Sequence, residues 1–430
     1  MVDLTAVRRR ACDPSAVISS SPLPRMHDVR GMAAGADART LHSGLPENRC
    51  PAMNSRRDVL AAGLALAGFA ALPAFAQGGR DKSGKPLKIL VLGGTGFLGP
   101  HFVEAALKRG HKLTLFNRGK TNPTRFDGTE YRDIEQLHGD RKSDMHALEG
   151  ERRWDAVLDT SAYLPADVTR STRLLGPRVD RYLIVSTVSV YASLDRSGLD
   201  EDAPLAQLAD PDVTEITGET YGGLKALCER AAEREMPGRV IVVRPGLIVG
   251  PGDNSDRFTY WPARADRGGE ILAPGSANDP TQFIDVRDLA GFLLHAIEQR
   301  SIGTYNADAP AGKLTMGTLL SACQRAAGKP STLAWVPADF LEAHGVSAWQ
   351  DMPAWLPATG ENAGFGRVST ARAQAIGLMY RPLDATVADT LAWWRGQSET
   401  RRAKPAAGIT PAREAEALKA WHQHEADRAG

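Results

Sequence analysis

Leu87–Phe116 reads LKILVLGGTGFLGPHFVEAALKRGHKLTLF. Its first part, LKILVL at Leu87 to Leu92, is an apolar run rich in branched side chains, as expected of a strand covered on both faces. Helical spacing follows: Phe102, Val103, Ala106 and Leu107 share one face, Gly110 closes the helix, and a second strand, Lys112 to Phe116, begins at once. Between strand and helix, Gly93, Gly96 and Gly99 recur at a spacing of three. They permit a tight turn, a close approach of backbone to a pyrophosphate, and the packing of helix on sheet, while the first N–H groups of the helix face the phosphates. This unit predicts an α/β fold built on a doubly wound parallel sheet. It also predicts a dinucleotide against Gly93, Gly94, Thr95, Gly96, Phe97, Leu98 and Gly99.

The end of the second strand bears on which dinucleotide. An acidic residue there would bond the ribose 2′-hydroxyl and repel a 2′-phosphate, but this chain has Asn117-Arg118. NADP or NAD is therefore expected, with Arg118 favouring NADP. Asp140, after a short extended run, is a candidate partner for the adenine. Trp154 to Asp159, WDAVLD, reads as the next strand, with Asp159-Thr160-Ser161 at its cofactor end.

A catalytic constellation follows. Tyr182 to Val185 is an apolar strand leading into Ser186-Thr187-Val188-Ser189-Val190-Tyr191, and Tyr221-Gly222-Gly223-Leu224-Lys225 opens a helix running through Cys228 and Ala232. Tyr221 and Lys225 share a helix face. A free tyrosine titrates at about 10, so bringing its phenolate near neutrality takes about 4 kcal/mol from adjacent positive charge. Lys225 and an oxidised nicotinamide ring are the expected sources. A Thr187 hydroxyl would share the substrate oxygen while Tyr221 moves its proton.

GGTGFLG, VSTVSVYA, YGGLK, VRPGLIVGPGD at Val243 to Asp253 and QFIDVRDLA at Gln282 to Ala290 resemble, in order, the motifs of the extended short-chain dehydrogenase/reductase superfamily, the NAD-dependent epimerase/dehydratase group. The likeness runs from about Leu87 to Trp394. It implies Thr187, Tyr221 and Lys225 as the catalytic set, Tyr221 and Lys225 also touching the cofactor, Ser186 as the alternative hydroxyl, and a homodimer built on a four-helix interface. Its implied activity is reversible hydride transfer on a sugar-like or other hydroxylated or carbonyl small molecule. One departure matters: nucleotide-sugar epimerases commonly carry an arginine just before the segment matching Phe283 to Val286, and Pro280-Thr281-Gln282 has none. Arg257, Arg264 and Arg287 are candidate substitutes, and Trp261, Trp349 and Trp355 are candidates either for a pocket floor or for core. The chain is also similar to plant chloroplast stem-loop-binding relatives, which leaves open a cofactor-binding protein with an RNA-binding or redox-sensing role and no turnover.

Composition narrows the partners. The 430 residues carry 52 Lys and Arg against 51 Asp and Glu, and no basic stripe with interleaved aromatics marks a nucleic-acid surface. Small molecules are the expected partners. The histidines and the four cysteines offer no metal-ligand spacing, so no metal is expected.

The rest of the chain divides as follows. Residues 1–52 are rich in Arg, Ser, Pro and Gly without apolar periodicity, which predicts a disordered or misassigned extension ahead of a start at Met53. Residues 53–76 resemble a twin-arginine signal: Arg56-Arg57, an apolar run from Val59 to Leu72, and Ala74-Phe75-Ala76. Pro73 interrupts a run already short of the roughly 20 residues that cross a bilayer, so no stable membrane anchor is expected. A linker, 77–86, precedes a Rossmann-type nucleotide domain, 87–250 plus 282–306. A smaller, interleaved substrate portion, 251–281 plus 307–395, and a polar segment with a C-terminal helix, 396–430, complete the chain. The predicted location is outside the cytoplasmic membrane, reached through the twin-arginine export machinery, with a cytoplasmic enzyme as the alternative.

Overall fold

The computed structural model describes residues 85–430; the extension and signal read at 1–76 lie outside the described residues. The order along the nucleotide-binding half is β1 (Lys88–Leu92), α1 (Leu98–Lys108), β2 (Lys112–Asn117), β3 (Glu135–His138), β4 (Trp154–Asp159), α2 (Pro165–Leu175), β5 (Val179–Val185), α3 (Gly218–Glu235) and β6 (Val240–Pro245). There follow β7 (Leu247–Val249), α4 (Tyr260–Asp266), β8 (Gly269–Pro274), β9 (Pro280–Thr281), β10 (Phe283–Asp285), α5 (Val286–Gln299) and β11 (Gly303–Ala307).

Seven of these strands form one sheet in the order β11-β6-β5-β4-β1-β2-β3, every neighbouring pair parallel. The period-two alternation of side chains along a strand explains its two covered faces. Ile89 and Val91 pack under α1 and α5 with Phe102, Val103 and Leu293. Leu90 and Leu92 point the other way, into a core with Val168 of α2 and Cys228 and Ala232 of α3. Each large buried side chain contributes roughly 1.5–3 kcal/mol. The strand order reverses between β1 and β4, which opens the crevice at their carboxyl ends where the glycine turn lies.

Local chemistry moved one boundary. The helix read as opening at Tyr221 begins at Gly218, because Thr217 caps it and exchanges hydrogen bonds with Thr220 in a capping box. Tyr221 thus sits inside the first turns of α3, where its direction is fixed, rather than at a fraying end.

A further core gathers the remainder. β12 (Leu314–Thr315), α6 (Met316–Ala327), β13 (Ser331–Val336) and α7 (Ala338–Ala343) are followed by α8 (Ala371–Ala375), α9 (Leu383–Arg395), α10 (Glu399–Arg402) and α11 (Pro411–Ala429). β8 and β13 pair in parallel, α4, α6 and α9 pack together, and Trp261, Trp355, Met316 and Leu319 fill the space between. Thr410 caps α11 with Pro411 in its first turn, and Ala417 and Trp421 bury against the same core. The segment 396–430 is therefore bound to this second core through Ala417 and Trp421.

A buried ion pair fastens that tail. Glu414 accepts Arg264 Nε at 2.5 and 2.7 Å and Arg267 Nη2 at 2.8 Å, and both Arg264 and Glu414 are almost wholly buried. Removing one partner of such a pair leaves a desolvated charge and typically costs about 3–5 kcal/mol. Glu414→Ala is accordingly expected to lower the urea midpoint by that equivalent; an unchanged midpoint would contradict this role.

Candidate active site

The cleft lies at the carboxyl ends of β1, β2, β4 and β5 and encloses about 950 Å³. Its floor is the turn from Gly93 to Gly99. Gly93 has φ +92°, a region open to glycine, and a Cβ on Gly99 would lie 2.3 Å from the Gly94 carbonyl oxygen. At Gly96 a Cβ would meet nothing within 4 Å, so the backbone there faces open space on the cleft side. Gly93, Thr95, Gly96, Phe97, Leu98 and Gly99 line the cleft, and Gly94, packed under Leu115, supports the turn from below.

At the ends of β2 and β3 the lining is cationic. Arg118, Lys120 and Lys142 present side-chain charges that have no partner among the described residues, and Asp140 lies beside them. Asn117 accepts the Gly119 N–H at 2.8 Å through its side-chain oxygen, but its buried Nδ2 has no partner. A buried, unpaired amide at the rim of a glycine turn is what a ligand acceptor would satisfy. The turn, the orphan amide and the cationic rim fit a dinucleotide with its adenosine end at β2 and β3.

Arg141, not singled out from sequence, locks that rim. Its guanidinium is bidentate to Asp159 at 2.8 and 2.9 Å and also bonds the Ser161 carbonyl and Ser171 Oγ. Tyr182 donates its hydroxyl to the same carboxylate at 2.6 Å. Although burial pushes Asp159 upward, Arg141 and these hydrogen bonds hold its carboxyl below the usual range. The pair therefore fixes the end of β4 against the loop after β3.

Thr187, Tyr221 and Lys225 converge on the middle of the cleft. Thr187 ends β5 and caps a short turn, Val188–Val190, accepting the Ser189 N–H at 3.1 Å. Gly222 brings α3 onto that turn so closely that a Cβ would stand 2.1 Å from the Ser189 carbonyl oxygen. This contact sets Tyr221 beside Thr187. Burial raises the Tyr221 hydroxyl above its ordinary value, while a hydrogen bond with Thr187 and the charge of Arg257 act downward.

Two sequence expectations need refinement here. Lys225 was expected to supply the charge at Tyr221, but its ammonium donates to the Ala162 and Val185 carbonyls at 2.7 and 2.6 Å and stands 5.4 Å over the Tyr163 ring. It keeps one N–H donor for a ligand, and Arg257, in the same cleft, adds positive charge that acts to lower the Tyr221 pKa. Ser186 lines the cleft but donates its hydroxyl to Glu229, which Arg244 grips at 3.0 and 2.7 Å. Thr187, which donates to Ser189 Oγ at 3.2 Å, is the hydroxyl in hydrogen-bonding reach of Tyr221.

Among the candidate substrate residues, Arg257 reaches the cleft and stands 5.8 Å over the Trp349 ring. Trp261 does not: it is fully buried and donates its indole N–H to the Pro353 carbonyl at 2.7 Å, which makes it core. Arg287 also lies outside the cleft lining, held by Asp285 at 2.7 Å and Asp389 at 2.5 Å across the start of α5. Trp355 is likewise core, its indole N–H donated to Asp279 at 2.8 Å. Asp308, which follows β11, is a buried carboxyl lining the cleft that no local pattern marked.

Residues 89–307 match the NAD dependent epimerase/dehydratase family, and the chain belongs to that family. It is 29% identical over 260 residues to the Bos taurus "Epimerase family protein SDR39U1", covering 57% of this chain and 82% of that one. To the "dTDP-4-dehydro-6-deoxy-D-allose reductase" of a Streptomyces species it is 27% identical over 240 residues, 49% of this chain and 72% of that one. The fold is shared with the Bordetella bronchiseptica enzyme WbmH, solved with NAD+, at a TM-score of 0.53 and 18% identity, over 72% of this chain and 99% of that one.

Proposed function

We propose that the protein is an NAD(P)-dependent oxidoreductase of the epimerase, dehydratase or reductase kind, acting on a hydroxyl- or carbonyl-bearing small molecule. The observation that carries this reading is the meeting of Thr187, Tyr221 and Lys225 in the cleft above the Gly93–Gly99 turn. Family membership and similarity to a relative named as a sugar-nucleotide ketone reductase support it. Arg118, Lys120 and Lys142 favour NADP, since three unpaired cations suit a 2′-phosphate.

A bound dinucleotide would supply the hydride acceptor or donor. The residues handle the proton. Thr187 holds the substrate oxygen, and Tyr221 Oη takes the hydroxyl proton when an alcohol is oxidised and returns it when a carbonyl is reduced. Lys225, bonded to two carbonyls, orients the base of the site and offers its remaining N–H to the cofactor's ribose. Mixing NADPH- or NAD+-loaded protein with hydroxylated aldehydes, ketones and sugars, and following the near-ultraviolet absorbance of the reduced ring, tests this. A loaded protein that transfers no hydride to or from any of them would favour the binding-protein reading.

The raised Tyr221 pKa fixes the sign of the pH dependence. Reduction uses the protonated phenol, so its rate stays level through neutrality and falls only as pH rises through the raised value. Oxidation uses the phenolate and should gain about tenfold per pH unit below that value. Oxidation rising while reduction stays level below that value, and reduction falling above it, measured as kcat/KM against pH, are the expected result.

Export remains part of the proposal. An exported protein must leave folded with its dinucleotide inside, which the twin-arginine route allows, and such a protein would return hydride to the same molecule or to a second substrate. Arg56→Lys with Arg57→Lys should abolish its appearance outside the cytoplasmic membrane in a cell fractionation; export that continues would argue for the cytoplasmic alternative.

A further inference from the structure

We propose that the substrate carries a carboxylate, and that Arg257 binds it in the cleft shared with Tyr221. This rests on the oxidoreductase reading above and names the class of molecule it would act on.

Six cationic residues line the cleft. Arg118, Lys120 and Lys142 belong to the rim at β2 and β3; Arg141 is committed to Asp159; Lys225 is held by two backbone carbonyls. Arg257, outside that rim, lines the same cleft as Tyr221 and has no ion-pair partner among the described residues. Its hydrogen bonding among the described residues is a single bond from Nε to Ser255 Oγ at 3.2 Å. Both Nη groups, the planar fork that matches a carboxylate, are left without a partner.

The surroundings hold that fork in place, with the nearest carboxylate, Asp253, acting on its charge from beyond ion-pair distance. Ser255 Oγ, which accepts from Arg257, donates to Asp253 at 2.8 Å, and the Ser255 N–H bonds the same carboxylate at 2.9 Å. Asp253 thus orients Arg257 through Ser255 and forms no ion pair with it. On the other side lies the Trp349 ring, and Trp349 has φ +66°, a conformation that a bulky side chain adopts at a cost. Asp256, just before Arg257, is also left-handed at φ +56°, fixed by Arg401 at 2.6 Å and the Ala406 N–H at 2.7 Å. Two strained residues brace one guanidinium, and burial works against its charge. An anion arriving there would relieve that cost.

The rest of the cleft selects the kind of anion. A diphosphate carries more charge than one guanidinium balances, and no second unpaired cation accompanies Arg257. Asp308, in the same cleft, does not repel a carboxylate: burial pushes its carboxyl well above the usual range, its Oδ1 accepts only the Ala309 N–H at 2.9 Å, and no cation pairs with it. In its protonated form it is a donor for a substrate oxygen.

Calorimetric titration of the NADPH-loaded protein with matched probes tests the proposal: D-glucuronate, D-glucose and D-glucose 6-phosphate, and 3-hydroxybutyrate with 2-butanol. In at least one set the carboxylate should bind about tenfold or more tightly than its neutral counterpart. Arg257→Gln should erase that preference and Arg257→Lys should keep part of it, with thermal midpoints confirming that both variants fold. The proposal is overturned if no carboxylate exceeds its neutral counterpart, if the phosphate ester is preferred, or if the preference survives in Arg257→Gln. NADPH fluorescence on loading is read first. A protein that takes up neither NADPH nor NADH defeats the oxidoreductase reading itself, whereas normal loading without carboxylate preference defeats only this inference.

Discussion

Tyr221→Phe is expected to cut hydride transfer by about 10²–10⁴-fold, the usual contribution of a positioned acid or base, while leaving dinucleotide affinity within about threefold. The reasoning is geometric. Tyr221 is set by the contact of Gly222 with the Ser189 carbonyl and by the capping box at Thr217, neither of which involves its hydroxyl. Removing one oxygen therefore deletes the proton carrier without moving α3. Thr187→Ala, which leaves the phenol in place, should lower the rate by a smaller factor and should move the rise of the oxidation profile to higher pH, because the Thr187 hydrogen bond pulls the Tyr221 pKa down. Stopped-flow absorbance under single-turnover conditions separates these effects from product release. A Tyr221→Phe protein as fast as the parent would remove Tyr221 from the chemistry.

Gly99 and Gly96 make a paired prediction. A methyl group at position 99 would meet the Gly94 carbonyl oxygen at 2.3 Å, a backbone atom that cannot swing aside. Gly99→Ala should therefore shift α1 away from β1, with a stability loss on the order of 3 kcal/mol, as for overpacked sites, and loss of dinucleotide binding with it. At position 96 a methyl group meets nothing within 4 Å. Gly96→Ala should retain its thermal midpoint yet weaken dinucleotide binding by about tenfold or more, because the backbone there would be kept from the pyrophosphate. Thermal unfolding and NADPH titration of the two variants distinguish a glycine needed for packing from one needed for ligand. If both variants fold and bind normally, the turn does not serve a dinucleotide.

Much of the nucleotide half was legible because its signals are local. β1, α1 and β2 follow from an apolar run, a helical face and glycines within thirty residues of chain. The grouping of Thr187, Tyr221 and Lys225 in one cleft was readable for the same reason: Tyr221 and Lys225 lie on one helix and Thr187 just past a strand end. What was missed depends on distant partners. Arg141 acquires its role from Asp159 and Tyr182, on strands β4 and β5, and Asp308 from the walls it meets beyond β11. Trp261 was a pocket candidate because it is a large aromatic near a charged loop, but its N–H is satisfied by Pro353, 92 residues away. Arg287 was a candidate for its position after the Phe283–Val286 segment, and Asp285 and Asp389 account for it instead. A cation or aromatic side chain in sequence does not disclose whether a partner already waits for it in the fold.

The role of Lys225 illustrates a subtler limit. Its spacing from Tyr221 was readable, its direction was not: two backbone carbonyls, one after β4 and one at the end of β5, draw the ammonium toward the sheet. Arg257, whose charge acts to lower the Tyr221 pKa, lies 36 residues further along the chain and belongs to a loop without regular pattern.

The cleft over Gly93–Gly99 is expected to hold a nicotinamide dinucleotide, and the most direct measurement is the mass of whatever the purified protein releases on denaturation, together with a titration of the emptied protein. Close to one NADP or NAD per chain is expected, or uptake to that ratio with NADPH bound more tightly than NADH. No released dinucleotide and no saturable binding of either would contradict it.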